Sequence, residues 1–302
     1  MMKRVFLFVV TNIAITLAVT VVLSLLGIGN YRIAGGRLDY ASLMVFCLVW
    51  GMVGAFISLQ LSRFMAKRMT GMQLVDGRSG REEADWVYRT VERLTTQAQL
   101  PMPEVGVYES PEVNAFATGP SKSRSLVAVS TGLLRGMRRD EVEAVLAHEV
   151  SHIKNGDMVT MTLIQGVVNA FVMFASTVVA NIVRNALQGN RDERGGGGGG
   201  GYMIEFMVRM VLQVAFGILG GMVVAWFSRA REFRADAGAA ALNGRGPMIA
   251  ALRRLQTTHE LVDPSHAQLA TMKISGGDGK WMMLLSTHPP LETRIAALES
   301  LR

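Results

Sequence analysis

Four long apolar runs constrain this chain more than anything else in it: residues 5–28, 41–61, 158–183 and 210–227. A helix needs about 20 mostly apolar residues to cross the hydrocarbon core of a bilayer, and the first three runs meet that length. The fourth is shorter but continuous, and Glu205 and Arg209 precede it four apart, where they can pair on one helix face. The first run follows Met-Met-Lys-Arg, as a signal peptide would. No small-residue cleavage site precedes residues 27–30 and the run is longer than a usual signal core, so it reads as a retained anchor. The single cysteine, Cys47, excludes an internal disulfide and, inside the second run, reads as a buried small apolar side chain.

Charge follows the same organisation. The formal net charge is +7, yet residues 62–157 carry 13 basic and 13 acidic side chains, so the largest polar block is neutral. The excess lies beside the apolar runs, where it orients a membrane protein. No basic patch interleaved with aromatics appears, which argues against nucleic acid as a partner. Nine Lys and Arg near the span ends, among them Lys3, Arg63, Arg68 and Arg229, would face one side, against six, among them Arg32, Arg184 and Arg209. That bias places both termini and both polar blocks in the cytoplasm of a bacterial-type inner membrane, with the bilayer as a standing partner. The expected division is a membrane hairpin at 1–63, a cytosolic block at 64–157, a second hairpin at 158–227 and a cytosolic block at 228–302. The glycine run at 195–201 lacks the framing of a phosphate loop and reads as a tether between the last two spans.

The block at 69–157 reads as a small α+β unit. Residues 81–100 have apolar positions Val87, Val91 and Leu94 at helical spacing, and 105–108, 115–118 and 126–130 look like short strands. Residues 140–154 then form a helix, with Asp140 expected at the N-cap, Glu143 three on, and Asn155-Gly156 as its stop.

On that helix lies His148-Glu149-Val150-Ser151-His152. Residues four apart share a face, so both imidazoles can point at one metal ion, and Glu149 projects beside them, where a carboxylate can take a proton from water. This is the HExxH arrangement of zinc proteases. Val142, Val145 and Leu146 supply an apolar face behind it; the bland alternative is two surface histidines. Catalytic zinc wants a third protein ligand. Asn155 and Met158 stand where a metzincin needs Gly and His, so the third ligand must come from elsewhere. Beyond the fourth span, Glu232 and Asp236 lie four apart on a helical segment. One can ligate zinc while the other orients a ligand histidine; the plain alternative for Glu232 is a surface pair with Arg229. If His152 and Glu232 meet on one ion, an even number of crossings must separate them, and two do.

Together these residues resemble the HtpX-type membrane metalloproteases, related more distantly to the CAAX prenyl proteases. The resemblance rests on the HExxH helix followed by Asn155-Gly156-Asp157, the flanking pairs of spans, and Ser228-Arg-Ala-Arg-Glu-Phe-Arg-Ala-Asp236. It rests also on Asn114-Ala-Phe-Ala-Thr-Gly119 and Thr287-His-Pro-Pro-Leu-x-x-Arg294-Ile295. It implies a mainly helical α+β fold, with four transmembrane helices and a cytosolic, gluzincin-like protease domain carrying a small sheet. It implies one Zn2+ per chain on His148, His152 and Glu232, with Glu149 as general base and Asp236 behind the ligands. The implied activity is endopeptidase cleavage of misfolded or membrane proteins in quality control under stress.

His288 can donate to a tetrahedral oxyanion, and its Pro-Pro setting equally suits a structural histidine. Residues 114–118 can be an edge strand that pairs with an extended substrate, or ordinary core sheet. His259 and His266 lie in a polar stretch and read as surface. Three rival readings leave different marks. An intramembrane protease would bury its HExxH in a span, whereas here Arg138-Arg-Asp-Glu141 precedes it. A zinc transporter would place His and Asp in the spans, which hold neither. A catalytically silent, zinc-binding membrane scaffold is the alternative that turnover separates from a protease.

Overall fold

Apolar runs become helices wherever no water can satisfy the backbone, and the computed structural model of the protein follows that rule. It describes residues 2–25, 38–188, 198–262 and 284–301. The runs lie in α1 (Met2–Leu25), α2 (Tyr40–Thr70), α6 (Asp157–Gln188) and α7 (Gly198–Asn243). Three of them hold segments long and apolar enough to cross a membrane among the described residues: Tyr40–Thr70, Asp157–Leu187 and Met203–Asn243. At about 1.5 Å per residue, the 31 residues of α2 reach roughly 46 Å, well past the ~30 Å of a hydrocarbon core. The extra turns end in Lys67 and Arg68.

The chain divides into two compact units, one of Met1–Ser58 with Thr162–Val224, the other of Leu59–Met161 with Ala225–Arg302. In the first unit Leu43, Cys47 and Ala170 are buried together, so the cysteine is the small apolar side chain expected of it. Arg184 and Glu205 form a buried ion pair at 2.7 Å between α6 and α7, and Asn181 accepts a further bond from the guanidinium. Arg209 lies over the Phe206 ring, 5.8 Å from its centroid. Glycines 198–201 form the first turn of α7, where the sequence suggested a tether: the apolar residues that follow propagate the helix backward over a residue type that costs about 1 kcal/mol per position. The expectation for residues 195–197 lies outside the described residues.

The second unit is built on a four-stranded sheet in the order β1-β2-β4-β3, with β1 (Gln73–Val75), β2 (Glu104–Tyr108), β3 (Ala115–Ser121) and β4 (Arg124–Ser130). The β2–β4 pair is parallel and the outer pairs are antiparallel. Six of the seven residues of β4 are buried, as a central strand covered on both faces requires. Three strands stand where the sequence placed them; β1, only three residues long, left no periodic mark.

Helix α3 (Glu82–Gln97) buries Val87, Val91 and Leu94 completely. A short α4 (Thr131–Gly136) is capped by Ser130, whose Oγ accepts from the Leu133 amide. Helix α5 (Arg139–Asn155) then packs against α8 (Arg245–Val262), β3 and α3, and α9 (Leu291–Ser300) packs on α8. The start of α5 corrects the sequence expectation. The helix begins at Arg139, and the reciprocal cap is Glu141 accepting from the Arg138 amide at 2.9 Å, because the orphan amides of this first turn lie two residues earlier than a cap at Asp140 would need.

Candidate metal centre

Helix α5 presents its buried side to the sheet through Val142, Leu146, Val150 and Ile153. Val145, expected on the same face, is instead partly buried and lines a cavity with His148 and Glu149. His148 and His152 are 7% and 8% exposed, which overturns the surface alternative. Their Nε2 atoms lie 3.1 Å apart.

Each imidazole has a carboxylate behind it, hydrogen-bonded to His152 and in close contact with His148. Asp157 Oδ2 accepts from His152 Nδ1 at 2.6 Å, and Asp236 Oδ1 lies 2.9 Å from His148 Nδ1. A proton held on Nδ1 leaves the Nε2 lone pair free and directed forward. The turn that delivers Asp157 is made by Gly156, whose φ of +70° suits a residue without a Cβ. Asp157 thus opens α6 directly beside the helix it has just left.

Glu232 closes the triangle. It is 1% exposed, its Oε2 is 3.5 Å from His148 Nε2 and its Oε1 3.4 Å from His152 Nε2. Neither carboxylate oxygen has a hydrogen-bonding partner among the described residues. Burying a carboxylate this way is costly unless a cation sits against it. Arg229, offered by sequence as its surface partner, donates to the carbonyl oxygens of Leu284 and Ser286. The three ligand-type atoms lie within 4.8 Å of one another. Two ligand atoms about 2.0–2.1 Å from a tetrahedral ion stand about 3.3 Å apart; the two Nε2 atoms at 3.1 Å are close to that edge, and each has a different Glu232 oxygen at 3.5 or 3.4 Å. The residues fit a divalent metal.

Helix α7 meets α5 closely here. A Cβ added to Gly238 would lie 2.6 Å from Ser151 Oγ and 2.9 Å from Ser151 Cβ, so the absence of a side chain lets the helix carrying Glu232 and Asp236 approach the helix carrying the histidines.

Arg294 on α9 braces the carboxylates. It is 6% exposed, donates through Nε and Nη2 to Asp236 at 2.7 and 2.6 Å, and holds Nη1 3.4 Å from Glu232 Oε2. His288 Nδ1 lies 3.0 Å from Glu232 Oε2 with its side chain 62% exposed. Glu149 is partly buried and shares a cavity of about 130 Å³ with His148, Glu232, His288, Arg294 and the chain at Val113–Asn114–Ala115.

In the metal-free chain both histidines hold their protons tightly. Burial works against the charged ring, but Asp157 and Glu232 outweigh it and raise His152 to about 9. His148 also moves upward: burial opposes, and Asp236 and Glu232 prevail.

The sequence brought His148, Glu149, His152, Glu232, Asp236 and His288 forward, and the structure gathers all six around one cavity and its rear wall. Asp157 and Arg294 were quoted only as members of motifs. Their signal was a charged residue standing in an otherwise apolar or helix-breaking setting. The side chain of His259, and His266, lie outside the described residues.

A model of peptidase family M48 matches residues 81–302. The chain belongs to peptidase family M48. Protease HtpX of Shewanella putrefaciens is 52% identical over 302 residues, covering 99% of this chain and all of that protein. An HtpX homolog of Verminephrobacter eiseniae is 52% identical over 300 residues, covering 99% of each. The crystal structure of S. mikatae Ste24p superposes with a TM-score of 0.66 at 20% identity, over 99% of this chain and 67% of that one, which shows a shared fold. As an M48 member with these relatives, the protein is a metalloprotease of the membrane, and its substrates are proteins.

Proposed function

We propose that this M48 protein is a zinc endopeptidase of the bacterial inner membrane, with His148, His152 and Glu232 holding one zinc ion and Glu149 acting as general base. The observation that carries the reading is the convergence of three buried ligand-type atoms on one point, where the Glu232 carboxylate is buried without a hydrogen bond of regular geometry and Arg294 and His288 only approach it. It is the gluzincin arrangement, with a glutamate as third ligand. Zinc bound there acidifies a water and polarises the scissile carbonyl.

The chain's own residues do the rest. Glu149 accepts the attacking water's proton on its carboxylate and returns it to the leaving amine. Asp157 and Asp236 keep the imidazoles in the tautomer with free Nε2 atoms. Arg294 locks Asp236 in place and adds positive charge near Glu232. His288, exposed and beside the ligand set, donates to the oxyanion as the carbonyl becomes tetrahedral. An extended substrate pairs with the outer edge of β3, whose first residue, Ala115, lines the cavity with Glu149.

Four spans, counting α1, arranged as the two hairpins of the sequence reading, put both polar blocks on the cytoplasmic side by the Lys/Arg bias. A catalytic half on each side of the second hairpin then meets across two crossings. Such a site suits misfolded and membrane proteins, cleared in quality control under stress. The test is Glu149→Gln in detergent-purified protein: zinc stays at one per chain and casein cleavage disappears. Retained turnover, or loss of the metal in that variant, contradicts the assignment, and zinc without turnover in the wild type favours the silent scaffold.

A further inference from the structure

The hydrophobic run of α7, 210–227, ends on an exposed aromatic pair. Trp226 and Phe227 are 59% and 39% exposed and meet edge to face, 4.8 Å between centroids. Within a turn of them, Arg229 donates through Nη1 to the carbonyl oxygens of Leu284 and Ser286 at 3.1 and 2.7 Å. Those bonds fix the last helical residues before a short bend, Leu284 and Leu285, which are 42% and 46% exposed. The same bend holds His288, whose carbonyl accepts from Ser286 Oγ at 2.8 Å and whose Nδ1 reaches Glu232. Two neighbouring leucines left in water forgo the stabilisation that burial of their side chains would bring. Tryptophan and arginine are the side chains that sit at headgroup level, with apolar bodies in the boundary and polar ends in water.

We propose that the Leu284–Leu285 segment is a lipid-contact element, seated in the headgroup–acyl boundary as a continuation of the lipid-facing surface of α7. Continuity with that surface is what selects lipid as the occupant: Val214, Ile218, Val223 and Trp226 all stand exposed along the same helix. The exposed guanidinium of Arg234, with Arg229, adds the charge that anionic headgroups favour. The loop bearing His288 is thereby tied to the membrane surface, and the bonds that reach the cleft are those presented close to it. The inference rests on the membrane-protease reading and narrows its substrates to juxtamembrane and membrane-tethered segments.

The experiment reads depth rather than turnover, so its failure and a failure of the protease reading are distinguishable. In a Cys47→Ala background, Leu285→Cys, Val214→Cys and Ser300→Cys are each labelled with a bimane fluorophore and reconstituted into vesicles of brominated phosphatidylcholine and phosphatidylglycerol, without substrate. Quenching at 285 approaches that at 214, while the label at 300 stays bright. A label at 285 as bright as that at 300 overturns the proposal, as does shielding that appears only when a substrate polypeptide is added. A second variant guards against a perturbed loop. Leu284→Ser with Leu285→Ser lowers cleavage of a membrane-tethered substrate by about tenfold or more relative to a soluble peptide, and an equal loss on both substrates overturns it.

Discussion

His152 Nδ1 and Asp157 Oδ2 lie 2.6 Å apart across the single left-handed residue Gly156, so the α5–α6 junction supplies both a proposed ligand histidine and the carboxylate against it. Replacing Asp157 by Asn keeps the shape but weakens the acceptor. Zinc affinity is expected to fall about 10–100-fold, read by competition with a chromophoric chelator. Unchanged affinity in Asp157→Asn would show that the contact does not orient the ring.

The same pair makes metal uptake depend on pH. With His152 raised to about 9 by Asp157 and Glu232, against 6.5 for an ordinary imidazole, the charged ring stabilises the fold without metal. That contribution is fully present below the unfolded value and is lost as pH rises through about 9. A ligand imidazole must be neutral, so zinc binding at pH 7.5 expels protons and its affinity climbs with pH up to about 9. Calorimetry in two buffers of different ionisation enthalpy counts the protons. At least one proton per zinc is expected, and none would contradict the assignment.

Gly238 sets the approach of α7 to α5. Gly238→Val places methyl groups onto Ser151 and is expected to destabilise by about 1–3 kcal/mol, as overpacking does, with zinc content falling because Glu232 moves with the helix. Adding Ser151→Gly should restore part of the loss. Thermal unfolding in detergent and metal analysis, taken together on both variants, check the coupling.

Arg294 holds Asp236 with two bonds and approaches Glu232, all three side chains being buried. Arg294→Met leaves a carboxylate buried without its partner and is expected to cost about 3–5 kcal/mol. Arg294→Lys keeps charge but loses the two-pronged geometry. It should retain most of the stability while lowering kcat more than it raises KM, a split that steady-state kinetics on a soluble peptide resolves.

How much of this was legible in advance differs residue by residue. His148, Glu149 and His152 were readable because helical spacing alone sets their common face, and Gly156 because a helix stop is local chemistry. The burial of Val87, Val91 and Leu94 followed from periodicity in the same way. Arg294 was not readable as a brace, since its partner Asp236 stands 58 positions away and only the packing of α9 brings them together. Asp157 follows a helix break, where no periodicity predicts which way a side chain turns. Glu232 and Asp236 were found as a pair, but their division of labour depends on which carboxylate faces the Nε2 atoms, and that is a property of the α5–α7 crossing. The α5 cap was misread by two residues because Glu141 and Glu143 both suit the third position of a first turn, and the helix starts where Glu141 reaches back to the Arg138 amide.

The central claim is that Glu232 completes a metal site with His148 and His152. The direct measurement is zinc content and casein cleavage of the detergent-purified protein, wild type beside Glu232→Ala. The wild type is expected to hold about one zinc per chain and to cleave, and Glu232→Ala to lose both. A Glu232→Ala protein that keeps its zinc and its activity would contradict the account and move the third ligand to Asp236 or His288.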